Sequence, residues 1–189
     1  MLEPDSRTAR ILDEAGRRLS GRSQHLLWGA LTAVAMTGAL GATLLMPPRP
    51  WLVWNASASA PIGLYAVTAS HHGMVGDMVI ARVPVRWRDL AATRRYIPAN
   101  VPLVKRVAAA SGDRICASGR AIFINGRWFA RRQAVDSRGR AMPWWQGCVT
   151  LGKGRVFLLM DAPDSFDGRY FGPTDRGDII GRARLLWRR

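Results

Sequence analysis

The chain has 189 residues, 48% of them hydrophobic, and a formal charge of +15 at pH 7. That length holds one ordinary domain plus a short extension, and that apolar content excludes wholesale disorder. The charge suits nucleic acid or anionic lipid head groups, and composition by itself does not choose between them.

The choice comes from the N-terminal part. In residues 1–24 arginines alternate with Glu3, Asp5, Asp13 and Glu14, while Ala9, Ile11, Leu12, Ala15 and Leu19 predict a short amphipathic helix. From Leu26 to Met46 no side chain is charged over 21 residues, long enough for a helix to cross a hydrocarbon core of about 30 Å. Trp28 stands near one end of this run and Trp51 and Trp54 just past the other, where interfacial aromatics belong. Arg17, Arg18 and Arg22 precede it closely, and Arg49 alone follows closely. That asymmetry predicts a cytoplasmic segment at 1–24, a single transmembrane helix at 25–46 and an exported domain at 47–189. The competing reading is a cleaved signal peptide, with Ala56-Ser57-Ala58 imitating a cleavage site. Against it stand the length of the run and the two dozen residues before it. An exported domain does not meet nucleic acid, so the surplus arginine is expected on a solvated face turned toward membrane lipid.

Pro47, Pro48 and Pro50 end the helix, and beyond them short strands alternate with turn residues. Strands are predicted at Gly63–Val67, Asp77–Val83, Leu103–Val107, Arg155–Met160 and Ile179–Trp187, and one short helix within Pro84–Arg95. Ala121–Phe129 reads as a hairpin turning on Asn125-Gly126. The fold class expected is mainly β, one antiparallel domain behind a single N-terminal transmembrane helix. Cys116 and Cys148 both fall in the exported part, so a disulfide between them is expected. Closing that loop is worth roughly 3 to 4 kcal/mol. Two unrelated buried thiols are the alternative.

Only Lys105 and Lys153 are lysines among 28 basic residues. Lys153 sits between two glycines. Lys105 lies in a predicted strand whose Leu103 and Val107 share its face. Apolar surroundings disfavour an ammonium and can leave a neutral amine near pH 7 to 8, which a guanidinium cannot do. Lys105 is therefore either a general base or an edge-strand lysine reaching back to solvent. Ser57 and Ser59 point the same way in an extended segment, and Pro61 and Gly63 turn the chain just after them. Ser59 is a candidate nucleophile, with Ser57 and the Ser59 backbone N–H as oxyanion donors. A flexible Ala/Ser linker fits the same residues. In Met160–Pro173 a polar loop offers Ser165 to orient a lysine amine, with Asp167 and Arg169 as a bracing pair; its spacing does not match a calcium loop. His25 falls at the membrane boundary. His71 and His72 read as turn residues rather than zinc ligands, since two adjacent histidines lack a third partner. No metal or cofactor is called for.

Taken together, Ser59-Ala-Pro, Gly76-Asp77 before Met78-Val-Ile, Leu103-Val-Lys-Arg-Val with Ser111-Gly-Asp113, and Asp164-Ser-Phe-Asp-Gly-Arg-Tyr-Phe-Gly-Pro173 resemble, in order, the boxes of the type I signal peptidases, the membrane-bound serine-lysine peptidases, with Gly76-Asp77 resembling the strand motif between the serine and lysine boxes. Ala60 in place of methionine after the serine, and Met160-Asp-Ala-Pro in place of Gly-Asp-Asn-Arg, resemble the TraF-like branch that serves conjugative transfer. The resemblance implies the signal-peptidase fold, with an inserted portion holding the cysteines. It makes Ser59 the nucleophile, Lys105 the general base, Ser57 an oxyanion donor, Ser165 the lysine's partner and Asp167–Arg169 a supporting ion pair. It further implies a bacterial inner-membrane enzyme, its N-terminus cytoplasmic and its catalytic domain periplasmic. Such an enzyme cleaves, and in that branch also cyclises, a pilin precursor, with mating-channel proteins as neighbours. A general preprotein signal peptidase and a non-catalytic scaffold of a pilus or secretion channel are the alternatives.

Overall fold

The computed structural model describes residues 6–45, 50–69 and 73–189, with the backbone alone for 6–23 and Leu44. His71, His72 and the residues Pro47–Arg49 of the helix-ending proline cluster lie outside them. The first 48 residues and the remainder form two separate units.

Helix α1 is continuous over Ser6–Leu45. No proline interrupts that stretch, so the short helix expected before Gln24 and the apolar span after it run together as one element. Its segment Gln24–Thr43 is long and apolar enough to cross a membrane, and none of it is buried against protein. The hydroxyls of Thr32, Thr37 and Thr43 donate back to carbonyls of Trp28, Gly29, Ala33 and Leu40. Such back-bonding satisfies hydroxyls where the surroundings offer no water.

Among the described residues the second unit holds eleven strands: β1 (Leu52–Asn55), β2 (Gly63–Thr68), β3 (Met78–Ala81), β4 (Leu103–Ala109), β5 (Arg114–Ser118), β6 (Ala121–Ile124), β7 (Arg127–Arg131), β8 (Gly147–Thr150), β9 (Arg155–Leu159), β10 (Thr174–Asp175) and β11 (Ile179–Arg188). Two short helices, α2 (Val85–Thr93) and α3 (Gly168–Phe171), pack beside them. Every described strand pair is antiparallel. One sheet has the order β1-β2-β11-β3-β4-β9-β10 and the other β7-β6-β5-β8. The domain is therefore mainly β, as its short alternating runs and turn residues indicate.

The larger sheet is strongly curled. Strands β2 and β4 stand three ladder steps apart, about 14 Å across a flat sheet. Yet Tyr65 of β2, Ile80 of β3, Val104 of β4 and Ile180 of β11 meet in one buried cluster with Ala60 and Met160. Register shifts at Leu185/Trp187 and Ile179/Gly181 in β11 and at Val107/Ala109 in β4 supply the bend. The smaller sheet closes a second core, where Ile115, Ile122 and Leu151 pack on Phe157 and Leu159 of β9. Its β6–β7 turn has Asn125 and Gly126 at φ 51° and 79°, the left-handed pair that a tight hairpin requires. Cys116 and Cys148 are directly opposite in the β5–β8 ladder and their sulfurs are bonded at 2.05 Å.

Candidate active site

Strand β1 ends at Asn55, and residues 56–62 form a loop before β2 begins at Gly63. Asn55 organises this loop. Its buried side-chain amide donates to the carbonyls of Ser57 at 2.9 Å, Ala60 at 3.1 Å and Pro61 at 3.1 Å, while its Oδ1 accepts from the Ser57 N–H at 3.1 Å. The Tyr65 hydroxyl donates to the Pro61 carbonyl at 2.8 Å from the other side. An asparagine that captures the backbone two residues on is the signal that marks this turn in the sequence. The loop is thus a knotted turn rather than a flexible linker. Spacing alone assigns no role to Asn55, and the structure shows its side chain bonding backbone groups of the loop.

The turn brings the two serines together: Ser57 Oγ lies 3.0 Å from Ser59 Oγ and accepts from the Ser59 N–H at 3.3 Å. Lys105 approaches from the third strand over. Its Nζ lies 3.0 Å from Ser59 Oγ and 2.7 Å from Ser165 Oγ. The curl of the sheet closes this distance, which no local pattern encodes. Lys105 is only 2% exposed. It lies between Leu103, which packs on Phe166 and Tyr170, and Val107, which packs on Val79 and Leu158. A snorkelling lysine is thereby excluded.

Burial pushes the Lys105 ammonium down from 10.5 to about 8; Asp167 pulls it up, Arg169 pushes it down and Asp164 pulls it up. Loss of water around the ammonium is the largest of these effects, and the paired charges of Asp167 and Arg169 oppose each other at the amine. An amine so placed is neutral in a useful fraction near pH 7 to 8. Its lone pair can then accept the Ser59 proton while Ser165 holds its orientation.

Ser165 is set by an ion pair shut inside the protein. Asp167, fully buried, caps α3 by accepting from the Arg169 N–H at 3.2 Å and also accepts from the Met160 N–H at 3.1 Å. Arg169 Nε donates to Asp167 Oδ1 at 2.8 Å. Its other nitrogens donate to the carbonyls of Met160, Pro163 and Arg131. One guanidinium therefore ties both ends of the 160–167 loop to β7, and Ser165, 2% exposed, lies between those ends.

A cleft of about 450 Å³ opens over Ser59 and Lys105, walled by Val53, Ile97, Pro98, Val101 and Phe166, with Asp164 at its margin. Its wall is held from the smaller sheet's side: the Tyr96 hydroxyl donates to Asp136 at 2.7 Å, and Arg94 donates to the Ala141 carbonyl at 2.6 Å. Asp136, bonded by Tyr96 and Arg140, is kept far below the usual carboxylate range. Of the residues singled out from sequence, Ser57, Ser59, Lys105, Ser165, Asp167 and Arg169 come together here. Cys116 and Cys148 lie away from it in the β5–β8 ladder.

The family model described as Signal peptidase, peptidase S26 matches residues 23–188. The plasmid transfer protein TraF of Escherichia coli is 32% identical over 162 residues, covering 78% of this chain and 92% of its own. The conjugal transfer protein TraF of Agrobacterium fabrum is 32% identical over 143 residues, covering 70% and 80%. A crystal structure of a signal peptidase I from Enterococcus faecalis covers 61% of this chain and 97% of its own, at 18% identity and a TM-score of 0.34.

Proposed function

The chain belongs to the signal peptidase family, peptidase S26, and from that premise we propose that it is a membrane-anchored serine endopeptidase. Its substrate is a pilin precursor made for conjugative transfer. The observation that carries the peptidase reading is the 3.0 Å contact between the Ser59 hydroxyl and an amine whose burial holds it near pKa 8. Similarity to conjugal and plasmid transfer proteins supports the choice of substrate.

In this mechanism neutral Lys105 Nζ takes the Ser59 proton as Oγ bonds to the peptide carbonyl carbon. The carbonyl electron pair moves onto oxygen, which displaces the Ser59–Ser57 contact and accepts from the Ser59 N–H and the Ser57 hydroxyl. Collapse breaks the C–N bond, and the proton on Lys105 passes to the leaving nitrogen. Water, or an amine of the substrate itself, then attacks the ester and returns Ser59 to its starting state. Ser165 keeps the amine aimed, and Asp167 with Arg169 keeps Ser165 in place. The segment Gln24–Thr43 would anchor the enzyme in a bacterial inner membrane, with residues before it cytoplasmic and the β domain periplasmic, among mating-channel proteins.

Purified full-length protein with Ser59→Ala, Lys105→Ala or Lys105→Arg is expected to leave the pilin precursor uncut, because Arg keeps the charge and loses the base. Normal processing by any of the three overturns the assignment. Cleavage of many unrelated preproteins by the unaltered enzyme would point instead to a general signal peptidase.

A further inference from the structure

Ser59 stands where two clefts meet. One is the apolar cleft leading to Lys105. The other, also about 450 Å³, passes Ala58 and Ser59 on the opposite side and ends among Arg106, Asp161, Arg188 and Arg189. Arg106 bonds both oxygens of Asp161, at 3.1 and 3.0 Å, so that pair is internally neutral. Among the described residues no carboxylate side chain pairs with Arg188 or Arg189, and both are exposed.

The position of those two arginines is built into the sheet. Arg188 is opposite Gly63 in the β2–β11 ladder, and the Arg189 N–H donates to the Ile62 carbonyl at 3.0 Å. Gly63, at φ +156°, allows it: an added Cβ there would lie 2.0 Å from the Trp187 carbonyl oxygen. The end of β11 is thus fastened beside the loop that carries Ser59.

A polypeptide whose carbonyl sits at Ser59 must leave in two directions, one along each cleft. The apolar cleft has Asp164 at its margin, which repels acidic side chains there. The second cleft carries two guanidinium groups that, among the described residues, no carboxylate side chain pairs with. We propose that this basic groove binds carboxylates of the substrate on one side of the scissile bond, with Arg188 and Arg189 as specificity-determining residues. The inference rests on the peptidase reading above. A substrate is favoured over a lipid phosphate because Ser59 itself lines the groove.

The test uses full-length Ser59→Ala protein in neutral detergent micelles and labelled peptides from the pilin precursor, with a single Asp moved through three positions on each side of the cut. Asp on one side only should tighten binding about fivefold at low salt, and the gain should fade as added salt screens exposed charges. Adding Arg188→Glu with Arg189→Glu should reverse the preference toward Lys-containing peptides. Adding Arg188→Gln with Arg189→Gln, which guards against a folding defect in the reversed protein, should abolish it. Equal binding of all peptides, no peptide binding, or an Asp preference that survives charge reversal overturns the proposal. So does binding of phosphatidylglycerol vesicles that depends on both arginines while peptide preference does not, which assigns the groove to lipid. Cleavage by unaltered protein without charge preference removes this inference alone; cleavage by the Ser59→Ala protein removes the peptidase reading.

Discussion

Lys105 holds its proton at a cost to the fold. Its pKa is about 8 in the folded protein against 10.5 for an ordinary lysine, so the unfolded chain binds the proton more tightly. Stability is therefore reduced below pH 8 and recovered as pH rises from about 8 to 10.5. At 2% exposure no solvent screening softens this. Lys105→Met should accordingly raise stability near pH 6 to 7 by roughly 2 to 3 kcal/mol, with the gain gone above about pH 10.5. Denaturant melts across that range check it, and a destabilised Met variant at pH 6 contradicts it. The same titration should appear in the reaction: kcat/KM is expected to rise about tenfold per pH unit below 8 and level off above it. A limb centred near pH 6 would implicate a different base. Asn55 is the counterpart at the other end of the contact, a residue with no chemistry that keeps Ser59 aimed by holding three carbonyls at once.

At the scale of elements, the 160–167 loop and α3 depend on Arg169, which is 1% exposed and bonded to one carboxylate and three carbonyls. Breaking a buried pair by removing one partner strands the other charge, so Arg169→Met should cost about 3 to 5 kcal/mol. It should also lower kcat more than it raises KM, because Ser165 loses its seat. Chemical denaturation and steady-state kinetics on the one variant test both halves. The element boundaries were only partly legible beforehand. Residues 63–67, 103–107 and 179–187 carry alternating apolar patterns and do form strands, as do both arms of the Asn125-Gly126 hairpin. Strands β1, β5 and β8 are not apparent in the same way. Leu52–Asn55 begins two residues after Pro50, and Arg114–Ser118 and Gly147–Thr150 are short, with exposed residues on their outer faces. Their pairing partners, not their composition, make them strands.

For the whole molecule, the uncharged, largely apolar 20-residue span Gln24–Thr43 sets the expected compartment. The chain should remain in the membrane pellet after a carbonate wash at high pH. Leu31→Arg with Val34→Arg, at roughly 2.5 to 3.5 kcal/mol each for a charge at mid-helix, should release it. Retention of that double variant would remove the anchor. What sequence alone determined was the periodic and the singular: an uncharged run as long as a bilayer is thick, short alternating strands, and a lone strand lysine in an arginine-rich chain whose motifs stand in a family's order. These are legible because helix period, strand period and residue chemistry are local properties. Only the tertiary structure decided that Ser59 and Lys105 touch, that Asn55 ties the turn, and that the far end of β11 brings Arg188 and Arg189 beside Ser59. Those depend on how far a seven-stranded sheet curls, and the curl arises from bulges and core packing summed over strands remote in sequence.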